Sequence, residues 1–159
     1  MTDGRPSTFL RVRWVAQIVY SEIQYWCVGL TPESYHWKKG SAWDALGNHQ
    51  RAAFHLSRFL RFADNALVRG RLAYCHARLS QWVEASREYE RANQKHPHPE
   101  FAIGHAQAEL RLGNKERAAQ ILAAVESTHP RLSQNDMEDA AFLREEIRHG
   151  WNPRQANDA

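Results

Sequence analysis

Three stretches of the chain superimpose at a spacing of 33 residues: AWDALGNHQRAAFHL from Ala42, CHARLSQWVEASREY from Cys75 and AELRLGNKERAAQIL from Ala108. Each carries a Leu (Leu46, Leu79, Leu112), then a small residue (Gly47, Ser80, Gly113), and an Ala five positions further on (Ala52, Ala85, Ala118). Pro97 and Pro130 close two of the units at the same interval, with Asp64 at the equivalent point of the first. Self-similarity of this length marks supersecondary units that bury their apolar faces only by stacking on one another.

The residue types explain what each unit does. Leu-Gly-Asn ends a helix, because Gly tolerates the left-handed conformation just past the helix end and Asn caps the next helix. Ser80 takes the Gly position in the middle unit at some cost. Ala52, Ala85 and Ala118 fall where the two helices of a hairpin cross, and their small side chains let the backbones approach. Pro97 and Pro130 stop the second helix, since Pro lacks the amide and clashes with the preceding turn. Helices are expected near 7–29, 34–46, 49–62, 67–80, 83–95, 99–112, 115–128 and 135–149. No stretch of period-2 alternation bounded by turns competes as a strand.

These residues resemble the tetratricopeptide repeat (TPR) pattern over about 33–65, 66–98 and 99–132. The middle unit carries Leu72-Ala73, Trp82, Ala85, Tyr89, Ala92 and Pro97. The first carries Gly40, Trp43, Leu46-Gly47 and Ala52, with Phe59 where the family prefers Ala. The third carries Ala106, Gly113-Asn114, Ala118, Leu122 and Pro130, with Val125 at the second Ala position and Glu109 where an aromatic is usual. The resemblance implies an all-α fold: a right-handed superhelical solenoid of three antiparallel helix pairs, flanked by an N-terminal amphipathic helix within 1–32 and a C-terminal capping helix within 133–150. Residues 151–159 are expected to form a flexible tail.

The two flanking segments differ in character. In 135–149, Met137, Ala140, Ala141, Leu143 and Ile147 recur at helical spacing, while Glu138, Asp139, Glu145, Glu146 and Arg148 are expected to face water, as suits a cap. The N-terminal helix is apolar over a wider arc. Val12, Val15, Val19, Ile23, Trp26 and Leu30 form one stripe; Leu10, Trp14, Ile18, Tyr25 and Val28 form a second beside it. Three roles fit: packing on the first repeat, homodimerisation through the second stripe, or contact with a membrane surface through Arg5, Arg11 and Arg13 with Trp14, Tyr20, Tyr25 and Trp26 at the lipid boundary. Glu22 in mid-helix argues against the last. The residues singled out for docking or dimerisation are Trp14, Ile18, Tyr25 and Trp26.

Chemistry-bearing motifs are absent. No nucleophile elbow, phosphate-cradling Gly loop, HExxH or paired-carboxylate motif occurs, so catalysis is not expected and no cofactor is implied. His96-Pro97-His98-Pro99 lies in the turn closing the second repeat, with both imidazoles expected in solvent and neither Cys27 nor Cys75 nearby in sequence, so no metal site is expected. The two Cys match no disulfide framework. The uncharged stretch from Trp14 to Ser21 is far shorter than the roughly 20 residues of a membrane span. Residues 1–10 lack the order of a secretory signal, and a cytoplasmic location, possible contact with a membrane surface included, is the expectation. Charge is uneven: residues 1–82 carry 11 Lys+Arg and 5 Asp+Glu, whereas 83–159 carry 10 and 13. A basic N-terminal half steers an acidic partner, but equivalent repeat positions carry no repeated base-reading residues, which argues against nucleic acid.

What remains is recognition of another protein. In the family the resemblance points to, the first helix of each repeat lines a concave groove. Carried over position by position, that gives Ser34, Trp37, Ser41 and Asp44; Leu67, Gly70, Arg71, Tyr74 and Arg78; and Ile103, Gln107, Leu110 and Arg111. Apolar anchors (Trp37, Tyr74, Leu110) beside Arg suit an extended or helical segment of acidic character. The Lys/Asn pattern by which chaperone-binding members clamp a C-terminal carboxylate is missing, since those positions hold Trp37, Ser41, Arg71, Glu100 and Gly104. The expected function is therefore a non-enzymatic protein–protein adaptor or assembly factor. The alternatives are a chaperone similar to the class II chaperones of type III secretion, and a membrane-surface organiser anchored by the N-terminal helix.

Overall fold

A computed structural model of the chain describes residues 8–27, 29–129 and 132–149. Arg5, Val28, Pro130 and the tail from Trp151 lie outside the described residues, and for Leu10 only the backbone is described. Eight helices follow in order: α1 (Thr8–Cys27), α2 (Pro32–Ala45), α3 (His49–Phe59), α4 (Ala66–Arg78), α5 (Trp82–Lys95), α6 (Pro99–Arg111), α7 (Lys115–Thr128) and α8 (Gln134–His149). No strand occurs among the described residues.

The turns form as their residues dictate. Gly47, Ser80 and Gly113 all take the left-handed conformation, with φ of 75°, 58° and 87°. Ser80 is the one that bears a Cβ there, which is a strained choice. Asn48 accepts the Arg51 amide (3.1 Å), and Asn65 accepts those of Leu67 (2.9 Å) and Val68 (3.2 Å). Asn114, expected to cap α7, does not: its side chain is drawn to Glu109 (2.7 Å) instead. Helix α2 starts two residues earlier than expected because Thr31 caps it and Pro32 occupies the first turn, where its missing amide costs nothing. Helix α3 ends three residues early in a tight turn, with the Phe62 and Ala63 amides both donating to the Phe59 carbonyl.

The chain divides into two compact units, 1–80 and 81–159. In the first, α1 packs on α2, α2 on α3, and α3 on α4. Ala52, Leu56, Phe59, Val68, Leu72 and Cys75 form its core, with Trp37 and Trp43 against it. Gly40 has no room for a side chain, since a Cβ would stand 2.8 Å from Leu56 Cδ2. In the second unit, α5 packs on α6, α6 on α7, and α8 on both α6 and α7. Its core joins Ile103, Ala106, Leu110, Ala118, Leu122 and Val125 to Ala140 and Leu143 of α8. Helix α8 buries only part of the apolar set expected of it. Met137 and Ala141 are exposed, and Glu146, expected in water, accepts from Arg111 (3.1 Å).

Helix α1 turns residues of its second stripe, not its first, toward the rest of the first unit. Trp14, Ile18 and Tyr25 are half-buried, and the Tyr25 ring lies 4.6 Å from that of Tyr35 on α2. Val12, Val15, Val19 and Ile23 are more than half exposed, and Trp26 is 79% exposed. Polar side chains fix this orientation. Glu22 accepts from Tyr35 Oη (3.1 Å) and from Lys39 Nζ, and Lys38 Nζ donates to Gln24 (2.7 Å). The carboxylate that reads as an obstacle to lipid contact is thus a docking group for α2, and these bonds hold its pKa below the usual range.

Candidate interaction site

Helices α2 and α4 bring together most of the groove residues expected in the first unit. The Arg71 guanidinium lies over the Trp37 ring (5.4 Å to the centroid) and donates to Ser41 Oγ (3.2 Å). Trp37 in turn packs on Phe59, with centroids 5.9 Å apart. Tyr74 remains 46% exposed, with the edge of its ring against His49 (5.7 Å, 86°). Arg78 is exposed, whereas Gly70 is buried. Beside Trp37 opens a hollow of about 270 Å³ lined by Glu33, Ser34, Trp37, Phe59, Asn65, Leu67 and Val68. Leu67 is 60% exposed at its edge. The result is an aromatic and aliphatic surface with a stacked cation, a combination that can take an apolar side chain and a carboxylate side by side.

The groove residues expected in the second unit behave differently. Leu110, read as an apolar anchor, is 1% exposed and belongs to the core, and Ile103 is buried with it. The physical reason is that α8 covers this part of α6, closing a face that sequence register alone leaves open. Arg111 is half-buried and paired with Glu146, so its charge is met from within the protein. Gln107 is half-buried.

Three polar clusters went unforeseen. Glu109, 3% exposed, accepts from Ser86 (2.5 Å) and Asn114 (2.7 Å), with Arg117 Nε at 3.8 Å and His105 Nε2 at 3.3 Å. Burial works to raise its pKa, but the two hydrogen bonds and nearby cationic groups prevail and lower it. In the first unit Asp44, His49 and Cys75 place their ligand-type atoms within 4.8 Å of one another. Cys75 is fully buried, and its thiol pKa is pushed far up by burial and by Asp44. Near α1, His36 and His55 meet Nδ1 to Nδ1 at 3.0 Å. Desolvation and neighbouring cations lower both, His55 to about 4. Of the turn histidines expected in solvent, His98 is half-buried and its Nδ1 is enclosed. Its backbone amide donates to Asn93 (3.1 Å).

No protein-family model matches the chain, and neither does any curated protein. Solved structures do match. The second TPR domain of human RPAP3, in complex with the HSP70 peptide SGPTIEEVD, superimposes with a TM-score of 0.61 at 17% identity over 69% of this chain and 92% of that one. Two structures of MamA AMB-1 give TM-scores of 0.65 and 0.64 at 17% and 15% identity. They cover 87% and 93% of this chain, and 87% and 94% of theirs. With the repeated turns and eight helices, this defines the class: an all-helical protein with the TPR fold. No helix among the described residues is long and apolar enough to cross a membrane.

Proposed function

We propose that the protein is a non-enzymatic adaptor that holds a segment of another protein against the α2 and α4 surface of its first unit. The observation that carries this reading is the Arg71 guanidinium stacked over Trp37 and tied to Ser41, next to exposed Tyr74 and Leu67. An exposed cation held in place beside apolar rings is prepared to receive a carboxylate flanked by an apolar residue, because little side-chain freedom remains to be lost on binding. Arg78 extends the same surface, Asp44 turns its carboxylate to Cys75 and His49 instead, and Glu33 at the hollow sets a limit on how acidic the segment can be there. RPAP3 takes an acidic peptide on the same fold, which supports the general mode.

The particular peptide is not transferred. At the clamp positions this chain has Trp37, Ser41, Arg71, Glu100 and Gly104, and a Cβ on Gly104 would stand 2.5 Å from Cζ of Tyr89. Neither that position nor the acidic Glu100 can supply a cation, so SGPTIEEVD is expected not to bind. Saturable binding of that peptide by the full chain would overturn this. The test of the adaptor reading is a pull-down with Trp37→Ala/Tyr74→Ala. Truncating two aromatic anchors costs about 2 kcal/mol or more each where they are hot spots, so co-purifying partners are expected to be lost. Partners that survive place the binding surface elsewhere.

A second reading is supported by α1. Its exposed row of Val12, Val15, Val19, Ile23 and Trp26 fits self-association or a lipid surface, as a secretion-type chaperone or a membrane-surface organiser requires. Light scattering of the intact chain, with liposome flotation of the chain and of a version lacking residues 1–30, separates these from the adaptor.

A further inference from the structure

Asp44, His49 and Cys75 come from three different helices: the last turn of α2, the first residue of α3 and the last turn of α4. His49 Nδ1 is 3.4 Å from Asp44 Oδ1, and Cys75 Sγ is 3.6 Å from the same oxygen. Around a tetrahedral zinc ion, ligand bonds of about 2.0–2.1 Å to N and O and about 2.3 Å to S put neighbouring donors about 3.3 Å apart for N and O and about 3.6 Å apart for S and O. The two separations match that geometry. The third pair, Nδ1 to Sγ, lies within 4.8 Å. The Cys75 thiol donates a hydrogen bond to the carboxylate, but His49 Nδ1 is enclosed and has no hydrogen-bond partner. A buried imidazole nitrogen with nothing to bond is costly in an ordinary core.

We propose that Asp44 Oδ1, His49 Nδ1 and Cys75 Sγ bind one Zn²⁺, three protein ligands leaving the fourth tetrahedral position open. The donor set of one thiolate, one imidazole and one carboxylate excludes Mg²⁺ and Ca²⁺, which take oxygen ligands, and suits a borderline-soft divalent ion. Asp44 and His49 side chains remain 18% and 16% exposed, which gives the ion a way in, while Cys75 closes the inner side. As the metal–sulfur bond forms, the S–H bond breaks and the Cys75 proton leaves to bulk water by the side where Asp44 and His49 are exposed, since a coordinating thiol is deprotonated outright. Tyr74, edge-on to His49, braces the imidazole. The ion would clip α2, α3 and α4 together directly beneath the Arg71 and Tyr74 surface. The inference goes beyond the adaptor reading and does not depend on it.

The test uses the full chain, freed of metal by chelator and titrated with Zn²⁺ by calorimetry and with Co²⁺ by absorption. One metal per chain and a thiolate-to-cobalt charge-transfer band are expected, and Zn²⁺ should raise the unfolding temperature. Cys27→Ser should change none of this, as Cys27 is exposed and on α1. His49→Ala and Asp44→Asn, each checked for helicity by circular dichroism, should weaken binding by more than about 100-fold, the upper range seen when only an outer-shell partner is lost. Cys75→Ser should abolish the charge-transfer band. Absence of saturable binding, binding unchanged in both His49→Ala and Asp44→Asn, or loss of the band in Cys27→Ser overturns the site.

Discussion

The two units solve the same problem, a polar group inside a helical hairpin, in opposite ways. In the second, Glu109 is enclosed and takes hydrogen bonds from Ser86 and Asn114 with Arg117 nearby, so the carboxylate stays ionised, although His105 Nε2, 3.3 Å away, is left without a hydrogen bond. In the first, the half-buried Asp44 accepts only from the weak Cys75 thiol donor, and the His49 Nδ1 beside it is left without a hydrogen bond. The equivalents of Cys75 at the repeat spacing are Ala42 and Ala108, both buried. The thiol therefore stands where an alanine methyl suffices for packing.

This contrast can be broken most severely in the second unit's core. Leu110→Ala is expected to cost about 2–5 kcal/mol, the usual range for a leucine truncated in a packed interior, as measured by denaturant unfolding. A loss below about 1 kcal/mol would return Leu110 to the surface, contrary to its place beneath α8. Glu109→Ala comes next. It strands Ser86, Asn114 and His105, and an expected loss of about 2–4 kcal/mol follows from leaving buried polar partners unpaired. In the first unit Asp44→Asn, without metal, should cost less than about 1 kcal/mol, since the amide oxygen can still accept from the weak Cys75 thiol donor. Equal losses at positions 109 and 44 would erase the distinction between the strongly bonded Glu109 and the weakly bonded Asp44.

Acid should sharpen the comparison further. His36 and His55 have folded pKa values below their ordinary 6.5, His55 at about 4, so the unfolded state binds more protons in between. Their contribution is complete above pH 6.5 and is lost as pH falls from there towards 4. The second unit has one such histidine, His105. Unfolding monitored from pH 7 to pH 4.5 should therefore show the first unit weakening more steeply, and His36→Gln/His55→Gln should flatten that slope. A slope unchanged in the double variant contradicts the assignment. The smallest effect concerns the shared turn. Ser80→Gly relieves a left-handed Cβ-bearing residue and is expected to stabilise by about 0.5–1 kcal/mol, visible as a raised denaturation midpoint.

Much of the fold was legible because its signals are local. Gly47, Ser80 and Gly113 announce the three turns, and Asn48 caps the helix that begins beside it, though Asn114, read the same way, does not. In the candidate site, Trp37, Ser41, Arg71 and Tyr74 were legible from repeat register, and the structure brings them together. Leu110 was not, because its exposure depends on α8, more than twenty residues further along the chain. Nor was the orientation of α1: both stripes are apolar enough to bury, and Glu22 with Tyr35 and Lys39 decides between them. The Asp44, His49 and Cys75 trio left only a faint trace, a Cys at a position otherwise held by buried Ala, with Asp and His five residues apart across the preceding turn.

The amino-acid sequence by itself determined the repeat, its helices and the turns, because helix ends are set by residues within a few positions of one another. Tertiary structure alone decided which apolar face is covered and which polar atoms are satisfied, because those outcomes depend on side chains about 30 positions apart, such as Cys75 and Asp44 or Arg111 and Glu146.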